Sequence, residues 1–506
     1  MKRLLLLLCL IFVFACGCTE DQTNNSTPAT KAPTETPATP TPTEAPTPMT
    51  DPDAKQVTLD FEQRYQTIDG FGAGFTWYAE KLFFVPNPTE AFDLLFRDAG
   101  FTILRFKNEY GYGEENTFNT VAGRNLRYYT EAKTRADERN EKVTVLYSSW
   151  SPPASLKSNN DINGGGTLKK DADGNYVYED FAKWWSDSVA AYRAKGIPVD
   201  FVSIQNEADY QAGYDGCEFT SDESGGLASY AKAFLATYRR FGTDFSEDAP
   251  KMIAPETMTC DPTTLRSYIR EIVAEEPTSI YALAHHLYKG GTSTDDPNEC
   301  APDSFLLNFR NDNQLAKDYG LKKWQTEFYR GTALQTANVI NSTLVHENAN
   351  AYIFWGGVWI GASNDDMDNG SLIIVNSRFR YGEEPKGYLA TGNYYAMRHF
   401  SQFIRPGYER IDVTPSISKD LRVSAYASPD NTTVVLVMMN NGTEPLKVQL
   451  PLDNYNAASS QCYQSVFTLG YTADMMYKDL GALGDSRVLS LPGESVTTIV
   501  INGATK

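Results

Sequence analysis

The chain has 506 residues and a net charge of −19, from 45 basic and 64 acidic side chains. This length predicts several domains, or one large barrel with an appended domain. With 41% hydrophobic residues, the chain can bury a sizeable core. The acidic balance, with no basic run longer than a pair, argues against nucleic acid as the main ligand, because such ligands require clustered Lys and Arg.

The first residues form a targeting segment. Two basic residues precede an unbroken apolar run over residues 4–14, which is too short to span a bilayer as a helix. Cys16 and Cys18 each follow a small residue at the end of this run, a pattern that resembles a bacterial lipoprotein signal. We expect a signal peptide over residues 1–18 with a lipid on Cys18 in preference to Cys16; ordinary secretion is the alternative. In both cases the protein is exported, and a lipid is its only expected membrane anchor.

Residues 19–54 are rich in Thr and Pro and have almost no apolar side chains, so this segment is predicted to be a disordered tether. The folded body then begins with a strand within residues 55–67, where apolar and polar residues alternate.

Eight short β-type runs alternate with helical patterns through the middle of the chain, which predicts an α/β fold, a (β/α)8 TIM barrel over residues 68–402. Unbroken apolar runs are typical of parallel strands covered on both faces. The predicted strands are 70–73, 103–106, 142–148, 200–206, 252–255, 282–286, 323–326 and 351–355, and the clearest helices are 180–195 and 229–241.

The pattern changes after residue 403 to short alternating strands separated by turn residues. This predicts an antiparallel β-sandwich over 403–506, which the strand at 55–67 is expected to join. Four cysteines lie in the body, at Cys217, Cys260, Cys300 and Cys462. They match no zinc pattern, and three complete disulfide pairings and free thiols all stay open. Nothing in the sequence suggests an obligate oligomer, so a monomer is expected.

Two glutamates follow predicted barrel strands at their carboxyl ends. Glu207 follows the fourth strand and Glu327 the seventh, so both are expected at the rim where barrel enzymes hold their active sites. A pair of carboxyl groups suits the cleavage of glycosidic bonds, because one protonates the leaving oxygen while the other acts as nucleophile or general base. A single glutamate in such a position is more often a solvated loop residue or a helix cap.

Around these glutamates the chain resembles glycoside hydrolase family 30. The matching segments are 68–74, 103–106, 149–153, 202–207, 286–288, 324–327 and 403–407. The resemblance spans about residues 57–501, and it implies a retaining glycosidase in which Glu207 is the acid/base and Glu327 the nucleophile.

Other residues become candidates for substrate binding beside this pair. Asn206 is placed for the sugar 2-hydroxyl, Arg105 for pairing with Glu327 and lowering its pKa, and His286 and Tyr288 for contacts with the carboxylates. The aromatic candidates are Trp150 and Trp355 for the sugar site, with Trp77, Tyr78 and Tyr329 further out.

Within the family, the loops at 157–165 and 214–218 resemble those of bacterial glucuronoxylanases. Those enzymes carry an Arg-rich segment after the eighth strand that grips the glucuronate carboxylate. Residues 356–366 contain no Arg and two acids here, and Arg378 and Arg380 are the possible substitutes.

The predicted function is therefore a surface-tethered endo-β-1,4-xylanase that acts on xylan without strict dependence on glucuronate. Four His residues form no metal triad, and neither a metal nor a cofactor is expected. The alternatives are other activities of the family (glucuronoxylanase, β-1,6-glucanase or galactanase, exo-acting xylosidase, glucosylceramidase) and a non-catalytic carbohydrate-binding lipoprotein.

Overall fold

The structure, a computed structural model, describes residues 50–289, 302–329, 331–361, 367–376, 386–416 and 420–506. The predictions for the signal peptide, for Cys16 and Cys18 and for the tether up to residue 49 lie outside the described residues. So do Cys300, Arg378, Arg380 and positions 362–366. No described helix has the length and apolar character needed to cross a bilayer.

Eight parallel strands close into a barrel in chain order, which confirms the predicted fold. The closure pairs the eighth strand with the first, through Ala351 opposite Gly70 and Phe354 opposite Ala73. The strands are Gly70–Gly74, Ile103–Lys107, Thr144–Ser148, Phe201–Ser203, Lys251–Thr259, Ile280–Lys289, Lys322–Glu327 and Ala351–Phe354, referred to below as barrel strands one to eight.

One α-helix follows each barrel strand within the described residues. Side-chain caps start several of them: Asp261 accepts from the backbone of Thr264 with Pro262 at the first helical position, and Ser229 accepts from Lys232. The helices are Pro88–Asp93, Glu115–Asp137, Tyr178–Ala194, Tyr230–Phe245, Pro262–Glu275, Leu306–Tyr319, Ala333–Ser342 and Gly392–Ser401; π-helical turns, Leu94–Asp98 and Thr343–Glu347, extend the first and the seventh.

Two apolar layers hold the barrel together. The larger one lies between strands and helices, and a smaller one fills the barrel interior below the mouth, with Phe201, Ile253 and Trp324 among its members. Strand one passes very close to strand two, since a Cβ on Gly72 would lie 1.9 Å from the carbonyl oxygen of Ile103. Only glycine permits this approach.

The second domain is a β-sandwich, as predicted. Its larger sheet has seven strands in the order Thr58–Thr67, Glu409–Thr414, Leu421–Ala427, Thr433–Asn440, Ser495–Thr505, Tyr455–Val466 and Lys478–Gly481. The N-terminal strand joins this sheet by antiparallel pairing with Glu409–Thr414. The sequence prediction that a strand before the barrel belongs to the sandwich is thereby confirmed.

A three-stranded sheet covers the other side of the sandwich core, and it consists of Lys55–Gln56, Leu446–Gln449 and Val488–Leu491. Its first pair is parallel, which departs from the predicted all-antiparallel pattern. Apolar side chains from both sheets, including Val57, Val448 and Ile499, form one core. Within the described residues the thiols of Cys217 and Cys462 are free and buried.

Short strands in the loops at the barrel mouth complete the described structure. Val358–Gly361, Ile373–Asn376 and Tyr388–Ala390 form a small sheet after barrel strand eight. Phe219–Thr220 pairs with Ala228–Ser229 in the connection after strand four.

Candidate active site

Glu207 and Glu327 meet at the mouth of the barrel. Glu327 is the last residue of strand seven, and Glu207 lies four positions beyond the end of strand four. One oxygen of each carboxyl group and a ring nitrogen of His286 all lie within 4.8 Å of one another. Both glutamates are almost fully buried.

A register shift between strands six and seven brings these groups together. His285 lies opposite Gln325, but the next residue, His286, lies opposite Glu327, so one position of strand seven is skipped. Such a bulge re-aims the side chains that follow it. It directs Glu327 and His286 towards the same point above the barrel interior.

The backbone is held in an unfavourable conformation beside the site. Glu207 and Glu256 have φ values of 49° and 57°, in the left-handed region that non-glycine residues rarely adopt. The amide of Glu207 donates to the carbonyl of Glu256 over 2.9 Å. Strain of this kind, roughly 1–3 kcal/mol for each residue, concentrates at functional sites because the surrounding fold must enforce it.

Arg105, from strand two, is the hub of the polar contacts. Its guanidinium is fully buried and donates to Glu327 over 2.6 Å, to Asn206 over 2.6 Å and to Glu256 over 3.1 Å. It also lies 4.6 Å from the ring centre of Trp150. The planar guanidinium therefore holds the side-chain amide of Asn206 and the carboxylates of Glu327 and Glu256 in place. The single ammonium group of Lys does not reproduce this arrangement.

His286 contacts Glu207 through Nδ1 at 2.9 Å and approaches Glu256 through Nε2 at 4.0 Å. Burial by itself would lower the pKa of His286, but the negative charges of Glu327, Glu207 and Glu256 outweigh it and raise that pKa to about 9. In Glu256, burial would raise the pKa, but Arg105 and His286 bring it down to about 2. His286 is therefore a cation and Glu256 an anion at neutral pH.

The raised pKa of His286 predicts a pH-dependent contribution to stability. The folded-state pKa lies above the ordinary 6.5, so the gain is complete below pH 6.5 and is lost as the pH rises through 9. We expect the difference in unfolding free energy between the native protein and His286→Gln to shrink over this range. Urea unfolding at several pH values measures it. His399→Gln is the matched control, because burial lowers the pKa of His399 to about 3 and keeps it neutral throughout. A difference for His286→Gln that stays constant with pH would contradict the assignment.

Burial raises the pKa of Glu327, with a contribution from Glu207, and outweighs the opposing charges of His286 and Arg105. The predicted pairing of Arg105 with Glu327 is present and lowers this pKa, but burial outweighs it and the net shift is upward. The hydroxyl of Tyr288 also hydrogen-bonds to Glu327, and burial raises the pKa of this phenol well above its ordinary value.

The charges in this site balance when one carboxyl group is protonated. Arg105 and His286 contribute two positive charges, and Glu256 contributes one negative charge. A balanced site then needs only one negative charge on the pair formed by Glu207 and Glu327. A buried pair with one acid and one carboxylate is the combination that glycosidic bond cleavage requires.

The carboxyl pair lies in an aromatic cleft of about 500 Å³. Trp77 is at its centre, with ring centres of Trp150 and Trp355 at 5.6 and 5.8 Å and that of Tyr214 at 6.1 Å. The described lining residues are Trp77, Tyr78, Trp150, Glu207, Tyr210, Tyr214, Met258, Tyr288, Glu327, Trp355 and Trp359. They include two acidic and no basic side chains.

Most sequence candidates converge on this cleft. Arg105, Asn206 and His286 lie directly beneath the glutamates, whereas Tyr329 packs beside Phe354 and is not among the described lining residues. Five residues of the site were not among the sequence candidates, namely Glu256, Tyr210, Tyr214, Met258 and Trp359. A usable signal existed for one of them, since Glu256 directly follows a predicted strand, as Glu327 does.

Comparison with known proteins gives two family matches. A model described as the glycosyl hydrolase family 30 TIM-barrel domain matches residues 118–223, and one described as the family 30 beta sandwich domain matches residues 407–499. The chain is 25% identical over 464 residues to glucuronoxylanase XynC of Bacillus subtilis (strain 168), covering 88% of this chain and 92% of that protein. It is also 25% identical over 376 residues to an endo-1,6-beta-D-glucanase of Neurospora crassa, covering 68% and 72% of the two chains.

Solved structures give the same picture. A family 30 subfamily 8 xylanase from Clostridium acetobutylicum superposes with a TM-score of 0.64 at 26% identity, covering 88% of this chain and all of that one. The catalytic domain of a family 30 xylanase from Talaromyces cellulolyticus gives a TM-score of 0.66 at 21% identity, with the same coverage. The second match bears on the fold alone.

Proposed function

Because the chain belongs to glycoside hydrolase family 30, we propose that this glycosidase is a retaining endo-β-1,4-xylanase acting on plant-cell-wall xylan. The observation that carries the proposal is the approach of Glu207 and Glu327 to within 4.8 Å in an aromatic cleft. A retaining enzyme needs its carboxyl groups roughly 5–5.5 Å apart, whereas an inverting enzyme needs roughly 6.5–9.5 Å to admit water.

The proposed mechanism is double displacement. Glu327 attacks the anomeric carbon while Glu207 protonates the departing sugar oxygen, and Glu207 then activates the water that releases the product. Arg105 and Tyr288 hold the Glu327 carboxylate in line for attack. Arg105 donates a hydrogen bond to the side-chain oxygen of Asn206. The Nδ2–H groups of Asn206 are therefore the donors that remain for the sugar 2-hydroxyl.

The choice of xylan is supported by relatives whose names specify a glucuronoxylanase and a xylanase. The proposed independence of glucuronate is supported by the cleft lining, where no described residue is basic. A carboxylate on the substrate gains no charge-assisted hydrogen bond from such a lining. We further propose that the enzyme is exported and works as a monomer held at the cell surface by a lipid on Cys18.

Product analysis tests the substrate. The protein is incubated separately with glucuronoxylan, arabinoxylan and β-1,6-glucan, and the products are identified by mass spectrometry. We expect mixed xylo-oligosaccharides from both xylans and none from the glucan. Products from glucuronoxylan only, each with one glucuronate at a fixed position, would contradict the loss of glucuronate dependence. Products from the glucan only would be consistent with the proposed mechanism but would show that xylan is not the substrate.

A further inference from the structure

A second group of buried ionisable side chains lies outside the barrel, on the side of strand six that faces the helices. His285, Asp312 and Glu347 are all fully buried. One potential ligand atom from each lies within 4.8 Å of the others. The proposed mechanism uses none of these residues.

The fold brings these residues from three separate elements. Strand six alternates, so Ala282 and Ala284 face the barrel interior while Leu283 and Leu287 face the helices, and His285 falls on the helix side. Asp312 occupies the buried face of helix Leu306–Tyr319, where the surrounding positions are apolar. Glu347 ends the π-helical turn Thr343–Glu347 and also points into the protein.

The hydrogen bonds in this group are incomplete. Neither carboxylate oxygen of Asp312 has a hydrogen-bond partner among the described residues, and the same holds for Oε2 of Glu347. An uncompensated buried carboxylate costs several kcal/mol, so two of them side by side need a nearby positive charge or a proton. Lys323 lies close enough to affect both groups electrostatically, yet it forms no ion pair with either within the described part of the chain.

The imidazole of His285 is oriented like that of a metal ligand. Its Nδ1 lies 3.2 Å from the carbonyl oxygen of His286, so Nδ1–H donates to the backbone. That bond leaves a lone pair on Nε2, which faces Oε1 of Glu347 at 2.6 Å. At this distance the two atoms share a proton in a hydrogen bond, and a Zn²⁺ ion that replaces the proton must move them apart, because it lies about 2.0–2.2 Å from each ligand atom. Metal-bound histidines commonly donate their second ring nitrogen to a backbone carbonyl in this way.

We propose that His285, Asp312 and Glu347 bind a divalent transition-metal ion and that Zn²⁺ suits the site best. One imidazole nitrogen and two carboxylates match the ligand preferences of Zn²⁺, whereas Ca²⁺ and Mg²⁺ prefer all-oxygen sites. Gln325 lies beside His285 in the strand pairing, and both polar atoms of its side chain lack a partner among the described residues. Its carbonyl oxygen is therefore the candidate for a fourth ligand.

The proposed ion has a structural role. It ties two helical elements to strand six, which also carries His286 and Tyr288. No metal was predicted because the four histidines of the sequence form no metal triad, and these three ligands are too far apart in the chain to form a recognisable spacing.

The test measures bound metal and thermal stability in the full-length chain. Glu207, His286 and Glu327 form a second group that could hold a metal ion. Every protein in the test therefore carries Glu207→Gln, which weakens metal binding at that group. The parent, Asp312→Asn and Glu347→Gln are refolded with and without Zn²⁺, since a fully buried site loads best during folding. Metal content is read by mass spectrometry after gel filtration.

We expect one zinc ion per parent chain and none in either ligand variant. Zinc should raise the Tm of the parent by roughly 5 °C and leave those of the variants unchanged. A parent that folds without retaining zinc would overturn the proposal, and so would an Asp312→Asn protein that keeps one ion. If Asp312 is instead a neutral acid, no protein binds zinc and Asp312→Asn is at least as stable as the parent in both conditions.

Discussion

Replacement of Glu327 with glutamine is expected to lower kcat/KM on xylan by about 10⁴-fold or more, since loss of a nucleophile removes the covalent route altogether. Glutamine has almost the same size and still accepts hydrogen bonds from Arg105 and Tyr288, so the fold should survive. Initial rates with purified protein measure the loss, and circular dichroism checks the fold. A variant that keeps more than a few per cent of native turnover would exclude Glu327 as the nucleophile.

A small anion distinguishes the roles of the two glutamates. With an activated aryl glycoside and azide, Glu327→Ala should form the α-glycosyl azide, because azide attacks directly from the side that the nucleophile vacates. Glu207→Ala should form the β-azide, because azide attacks the covalent intermediate from the opposite face. NMR of the products identifies the anomer. Exchange of these two outcomes would reverse the assignment of acid/base and nucleophile.

Arg105→Lys is expected to reduce kcat by about 10²–10³-fold, because one ammonium group cannot hold three partners in the geometry that a preorganised site needs. Arg105 also lowers the pKa of Glu327, so its weakened contact should raise that pKa further. The acidic limb of the kcat/KM profile, which reports ionisation of the nucleophile, then moves to higher pH. The pH–rate profile of the variant measures both effects.

The matched control for this substitution is Arg97→Lys. Arg97 pairs with Glu138 on the surface, and its side chain is 44% exposed, so little change in rate or stability is expected. Thermal melts of both variants distinguish a loss of catalysis from a loss of stability. Breaking a buried ion pair costs about 3–5 kcal/mol, so a variant that has lost the pair melts at a lower temperature. An acidic limb that stays in place in Arg105→Lys would show that the guanidinium does not control Glu327.

The parts of the fold that local sequence encodes were predictable. Most barrel strands are short apolar runs, as is typical of parallel strands buried on both faces. Glu207 and Glu327 were found because each is the first acidic residue after a predicted strand. Their meeting followed from barrel geometry, which gathers the carboxyl ends of all eight strands at one rim.

The remaining parts depend on contacts between segments that are distant in the sequence, and this includes the role of Glu256 although its position after a strand could be read locally. Glu256 lies within strand five, and only the positions of Arg105 and His286 give it a role. The net pKa of Glu327 reflects burial against several charges, so knowledge of its partner Arg105 was not enough to give the sign. Asp312 occupies a core position of an amphipathic helix, and its nearest ionisable partners lie on other elements.

The pairing of the N-terminal strand with Glu409–Thr414 has a consequence for biosynthesis. The strand Thr58–Thr67 leaves the ribosome early, but its partner is made only after the whole barrel sequence. Its edge therefore stays unpaired throughout translation of the barrel, as a template for wrong strand pairing. Charged residues alternate with the apolar ones along this strand, at Asp60, Glu62 and Arg64. Such side chains disfavour pairing of the exposed strand edge with other chains. This sheet of the sandwich can therefore be completed only after the barrel sequence has been synthesised.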